Sequence, residues 1–160
     1  TASARAPSVP HGAERMTRPV PGILTERFFH VPAHRLYSAW AAPEQLSVWW
    51  GPKGFRNTFS EFDLRPGGYW RFIMSGPDGT DYRNESVFID VVPDMRIVFD
   101  HLSGHRFRTT AEFIPRGEGT VLRWTMVFED AEEYERVKEF IACANEENLD
   151  RLEAMMEESI

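Results

Sequence analysis

The chain has 160 residues, enough for one domain that buries most of its apolar surface in a single core. Its net charge of -7 argues against a phosphate backbone as the main partner and against an anionic membrane surface. One cysteine, Cys143, excludes an intramolecular disulfide and a cysteine-built zinc site, and no apolar run approaches the roughly 20 residues that span a bilayer.

Residues 1–22 mix proline, glycine and small residues without an apolar period. They read as a disordered arm or tag remnant before a domain over 23–160, with Met16 as the candidate natural start. No h-region marks a signal peptide, and the expected location is the cytoplasm.

Ile23 to Val31 is the first predicted strand, with Ile23, Thr25, Arg27 and Phe29 on one side. Pro32 opens a helix carrying Leu36, Ala39 and Trp40. Pro43 starts a second short helix bearing Leu46, Trp49 and Trp50, and Gly51-Pro52-Lys53-Gly54 breaks it. The period then changes to two. Strands are predicted over 55–64, 69–75, 82–92, 96–102, 105–114 and 120–129. The turns between them are Arg65-Pro66-Gly67-Gly68, Gly76-Pro77-Asp78-Gly79, Pro93-Asp94, a two-residue Ser103-Gly104 hairpin and Pro115 to Gly119. Residues 131–158 lack Pro and Gly. Tyr134, Val137, Ile141, Ala144, Asn148, Leu152 and Met155 mark one helical face. The rod is about 42 Å long, with Asp130 as its N-cap.

Six strands joined by short turns make an antiparallel meander. The long helix must bury its stripe against that sheet, the one large apolar surface on offer. The fold class is α+β: a curved antiparallel sheet of about seven strands wrapped around a long C-terminal helix, with two short helices after the first strand.

Several motifs sharpen this. Arg27-Phe28-Phe29 with Pro32 and Tyr37-Ser38-Ala39-Trp40, then Pro43-Glu44-Gln45-Leu46 running into Trp49-Trp50-Gly51-Pro52, resemble the opening of the family named for the activator of heat-shock-protein-90 ATPase. Asp63-Leu64-Arg65-Pro66-Gly67-Gly68 before Trp70-Arg71-Phe72 is the most distinctive stretch. Gly76-Pro77-Asp78-Gly79 and Asn148-Leu149-Asp150-Arg151-Leu152 complete a resemblance covering about residues 23–157. It implies the helix-grip fold of the START-like (SRPBCC) superfamily, whose members use a deep cavity between sheet and long helix. The co-chaperone activity behind the family name belongs to a larger protein with a further module, so a chaperone partner is not expected from the name.

The candidate cavity residues are Trp49 and Trp50, Trp70, Phe72 and Met74, and Trp124 and Met126. Trp49 and Trp50, about 100° apart on a helix, cannot both face the core squarely. Polar candidates are Asn145 and Asn148 on the long helix and Tyr82 and Asn84, with Ser86, on one strand face. Plain core packing is the competing account of the apolar set. His101 and His105 flank the hairpin beside Asp100, but strand and turn do not bring them together, so they read as exposed loop histidines and no metal is expected. Asp63 and Arg65 read as a structural pair fixing their turn, and Cys143 as a small buried hydrophobe. The acidic outer face of the last helix reads as solvated.

The first functional expectation is a carrier or sensor of a small hydrophobic or aromatic molecule, lipids included, with no cofactor and no recognisable catalytic set. The second is a cyclase, dehydratase or hydrolase using the same cavity. A cavity face holding only apolar groups plus Asn or Tyr weakens the enzyme, whereas a carboxylate or histidine paired inside raises it above the carrier. The third is a co-chaperone-like interaction module, which needs an exposed patch and no open cavity. A long edge strand leaves a homodimer open.

Overall fold

The structure, a computed structural model, describes residues 21–158. Seven strands form one antiparallel sheet: β1 (Gly22–Phe29), β2 (Arg56–Phe62), β3 (Tyr69–Ser75), β4 (Asp81–Val92), β5 (Arg96–His101), β6 (Phe107–Arg116) and β7 (Gly119–Phe128). Their order is β1-β7-β6-β5-β4-β3-β2, so β1 closes onto the last strand of the meander. Three helices accompany it: α1 (Ala33–Ala41), α2 (Pro43–Trp49) and α3 (Ala131–Glu158). The expected α+β architecture is present. Of the arm expected over 1–22, Gly22 already belongs to β1, and Pro21 accepts a bond from the Phe128 amide. Residues 1–20 lie outside the described residues.

Alternation sets the sheet's inner face. On β6, Thr109, Ala111 and Phe113 are buried, and on β7, Leu122, Trp124, Met126 and Phe128. Register carries the pattern across: Phe88 faces Phe99, Phe99 faces Thr109, Thr109 faces Met126 and Met126 faces Ile23. A bulge between Phe88 and Asp90 lets Phe88 exchange backbone bonds with Gly67 and Gly68, so the Gly-Gly turn is stitched to β4.

Two turns differ from expectation. β5 ends at His101 and β6 begins at Phe107, so the connection is five residues and not a two-residue hairpin. The Leu102 amide bonds Glu85 on β4, and Ser103 Oγ accepts from the Glu85 amide. The chain therefore stays with β4 for two residues before turning. Pro115 is also inside β6, opposite Thr120, leaving Gly117-Glu118 as the turn. Pro115 N points the same way as Phe113 N, toward the flank where β5 has run out, so its missing N–H breaks no ladder.

α3 starts where the sequence places it. Asp130 Oδ1 accepts from the Glu132 amide at 2.9 Å. Its deeply buried residues are Asn145, Asn148, Leu149, Leu152 and Met156, all in the C-terminal half. Tyr134, Val137 and Ile141 are only half-buried. The C-terminal turns of the helix are thus anchored in the core, and its middle, from Ile141 to Asn148, borders a gap. Cys143, expected inside, is exposed, because the buried stripe runs one position away from it.

Candidate functional site

That gap is a cavity of about 210 Å³ between the inner sheet face and α3. Its floor is aromatic. Trp50 touches the rings of Trp40, Trp49, Trp70 and Trp124 at centroid distances of 5.2–5.6 Å, so all five tryptophans form one cluster. Trp50 stands here because α2 ends before it. Its backbone is extended (φ -69°, ψ 138°), which frees it from the helical angle to Trp49. Both rings therefore enter the core. Trp49 is fully buried and donates its N–H to the Ala39 carbonyl, away from the cavity.

Of the residues singled out from sequence, Trp50, Trp70, Phe72 and Met74 line the cavity, as do Trp124 and Met126 opposite them. Asn84, Asn145 and Asn148 line it too. Trp49 and Tyr82 do not: Trp49 lies behind Trp50, and Tyr82 stands 48 % exposed at the end of β4 against Phe55. The two helix asparagines are spent on structure. Asn148 Oδ1 accepts from the Gly51 amide at 2.7 Å and its Nδ2 donates to the Ala144 carbonyl. Asn145 Nδ2 donates to Thr25 Oγ1 and contacts Met126 Sδ. Beside them, Arg151 donates to the carbonyls of Val48, Trp50, Gly51 and Pro52 at 2.7–3.2 Å, clamping the loop that carries Trp50. Burial pushes its guanidinium down from the ordinary arginine value.

Sequence reasoning missed His101, Thr109, Phe99 and Phe107, which also line the cavity, with His105 at its edge. The histidines were misplaced because the loop was read as two residues. At five residues it curls back, and His101 Nδ1 lies 2.7 Å from the His105 carbonyl oxygen. Nε2 lies 2.9 Å from Asn84 Oδ1, and the ring stacks on Phe107 at 4.6 Å. Burial holds this imidazole below its ordinary value, opposed by the bond to the His105 carbonyl. His105 itself pairs with Glu133 at 2.6 Å, tying the β5–β6 loop to the start of α3. The alternation of Phe99 and His101 on β5, and of Phe107 and Thr109 on β6, was the signal that could have found them.

Among the described residues, no Asp, Glu, Lys or Arg lines the cavity. Among the described residues, no group of three or more His, Cys, Asp or Glu gathers to hold a metal ion. No described helix is long and apolar enough to cross a membrane. Asp63 and Arg65 form an exposed pair 2.8 Å apart at their turn, away from the cavity.

Among curated proteins, none matches the chain. Solved structures do. A protein from Arthrobacter aurescens superposes with a TM-score of 0.81 at 23% identity, over 87% of either chain. One from Nitrosomonas europaea gives 0.79 at 20% identity, over 86% of this chain and 95% of its own. The AHSA1 protein of Silicibacter pomeroyi gives 0.72 at 21% identity, over 87% and 99%. At these identities the likeness speaks for the fold alone. The model of the family described as "Activator of Hsp90 ATPase homolog 1-like protein" matches residues 30–157. With its helix-grip sheet, long C-terminal helix and intervening cavity, this chain belongs to that family.

Proposed function

We propose that this protein binds a compact, largely aromatic small molecule in the cavity between the sheet and α3. One observation carries the reading: the cavity is open, about 210 Å³, and eight Trp, Phe and Met side chains line it. Its volume is below the roughly 300–1,000 Å³ of drug-sized ligand sites. That suits one or two fused rings and disfavours a lipid chain. Met74 and Met126 give the wall some capacity to adapt. The interaction-module reading requires a filled cavity, so this geometry disfavours it.

Native mass spectrometry of the protein purified from cells tests the proposal. One small aromatic adduct per chain, released on denaturation, is the expected result. A bare chain that also gives no thermal shift with any one- or two-ring aromatic would sink it.

His101 favours the second reading, catalysis, because a paired histidine inside the cavity was the feature that raises it. Both ring nitrogens already face protein atoms, however. The ring becomes a proton donor or acceptor for a ligand only when Asn84 gives way. Turnover of a bound ligand that His101→Gln slows at least tenfold, without weakening binding, is the result that would put catalysis first.

A further inference from the structure

His101 closes β5, and alternation turns it inward with Phe99. Each of its ring nitrogens meets an oxygen of the protein. Nδ1 lies 2.7 Å from the His105 carbonyl oxygen and Nε2 lies 2.9 Å from Asn84 Oδ1. Carbonyl oxygens only accept, so each contact asks for an N–H on the ring, and a neutral imidazole has one. Turning the Asn84 amide over would give Nε2 a donor. It would also set the amide oxygen against the Tyr82 carbonyl, to which Nδ2 donates at 3.0 Å. The hydrogen bonds around His101 are therefore those of an imidazolium. His101 and Asn84 both line the cavity and are both half-buried, so a bound molecule can meet them.

That positive charge has no counter-ion on the cavity wall. Among the described residues, no carboxylate lines the cavity, and α3 offers it Ile141, Ala144, Asn145 and Asn148, all uncharged. On β4, Arg83 and Glu85 alternate to the outer face, where Glu85 is taken by Arg71. On β5, Asp100 is taken by Arg108 at 2.7 Å. In the loop, Arg106 pairs with Glu129, and Glu133 is engaged by His105 Nδ1. Resting on the reading that the cavity holds a compact aromatic molecule, we infer that this molecule is an aromatic carboxylate, bound as its anion against a protonated His101. Its oxygen replaces Asn84 Oδ1 as the acceptor at Nε2. An anion and an imidazolium buried together offset the desolvation that either would suffer alone.

The pairing couples binding to a proton. In the empty cavity, burial and the charge of a protonated His105 both hold the His101 imidazole below its ordinary value. The ring is then neutral near pH 7, whereas an aromatic carboxylic acid is already ionised. Complex formation therefore takes one proton from solvent: neutral His101, the carboxylate and a proton combine, and nothing is released.

The test is calorimetric titration of the full chain at about pH 7.5 with naphthalene, a naphthoate and a naphthylmethylammonium salt, in two buffers of different ionisation enthalpy. Naphthoate is expected to bind at least about tenfold more tightly than naphthalene, and the cation more weakly than either. Naphthoate should take up about one proton per chain and naphthalene none. In the parent protein, the His101 ring signal in NMR should move from the neutral to the protonated position when naphthoate is added. His101→Gln should abolish the proton uptake and bring the ratio of naphthoate to naphthalene affinity close to one. Asn84→Asp should also remove the preference for naphthoate, because it places a resident carboxylate at Nε2. Binding of naphthoate without proton uptake, equal affinity for naphthalene and naphthoate, or tightest binding by the cation overturns the inference and leaves the cavity a ligand site. So does a His101→Gln variant that keeps the preference. If none of the three probes binds, the proposed function itself fails, and the inference with it.

Discussion

His101 shows how one side chain couples the cavity to pH. The folded protein holds its imidazole below the ordinary value because the ring is buried. The unfolded chain binds that proton more readily. Stability from this group is therefore complete above about pH 6.5 and is lost as pH falls from there through the folded-state value. His101→Gln should flatten the acid side of the stability curve, by at most about 1.4 kcal/mol per pH unit, in urea titrations run from pH 7 to about pH 5. An unchanged slope would show that the ring is not shielded from water. Gly68 is a second single-residue constraint. A Cβ there would lie 2.0 Å from the Asp63 carbonyl oxygen, a backbone atom that cannot step aside. Gly68→Ala should cost about 3 kcal/mol or more, read as a lowered denaturation midpoint. The sequence marks Gly67-Gly68 as a turn, but not that the two glycines are held for different reasons, Gly67 by its positive φ of 86° and Gly68 by the returning Asp63 carbonyl. His101 was illegible for a related reason: a loop miscounted by three residues moved it from the cavity to the surface.

At the scale of elements, the N-cap and periodic stripe of α3 are readable, and so are the strands whose alternation is clean. What pattern alone does not show is that the helix is buried unevenly. Asn145, Asn148, Leu149, Leu152 and Met156 are in the core, whereas Tyr134, Val137 and Ile141, earlier on the inward face, are only half-buried. The stripe continues past the point where the sheet stops filling the space beneath it, and the cavity is the result. Arg27 then fastens the middle of α3 to β1 through Glu146, Asp150 and Glu153 at 2.8–2.9 Å. Part of the acidic face thus has a structural use, although exposed pairs of this kind contribute little each. Arg151 matters more, because it bridges α3 to four carbonyls around Trp50. Arg151→Met should cost about 1–3 kcal/mol and shift tryptophan emission to longer wavelength as the Trp50 loop loosens. An unchanged melting temperature and spectrum would mean that Asn148 alone holds the loop.

At the scale of the whole molecule, order of elements and family membership were legible from the chain, because turns, strand periods and the Gly-Gly motif are local. The cavity was not, because its volume depends on how far large side chains fill the space between distant elements. Trp50 illustrates this: one residue beyond a helix end, it leaves the helical angle and joins a cluster with four other tryptophans, of which Trp70 and Trp124 line the floor beside it. The central claim is that this floor and α3 enclose a site for a compact aromatic molecule. Ala144, on α3, faces that space and is small enough to leave it open. The most direct measurement is calorimetric titration of naphthalene into the parent protein and into Ala144→Phe, at several temperatures. The account predicts one site per chain with a negative heat-capacity change, abolished or weakened at least about tenfold by the added ring. No binding to the parent, or equal binding to both proteins, would contradict it.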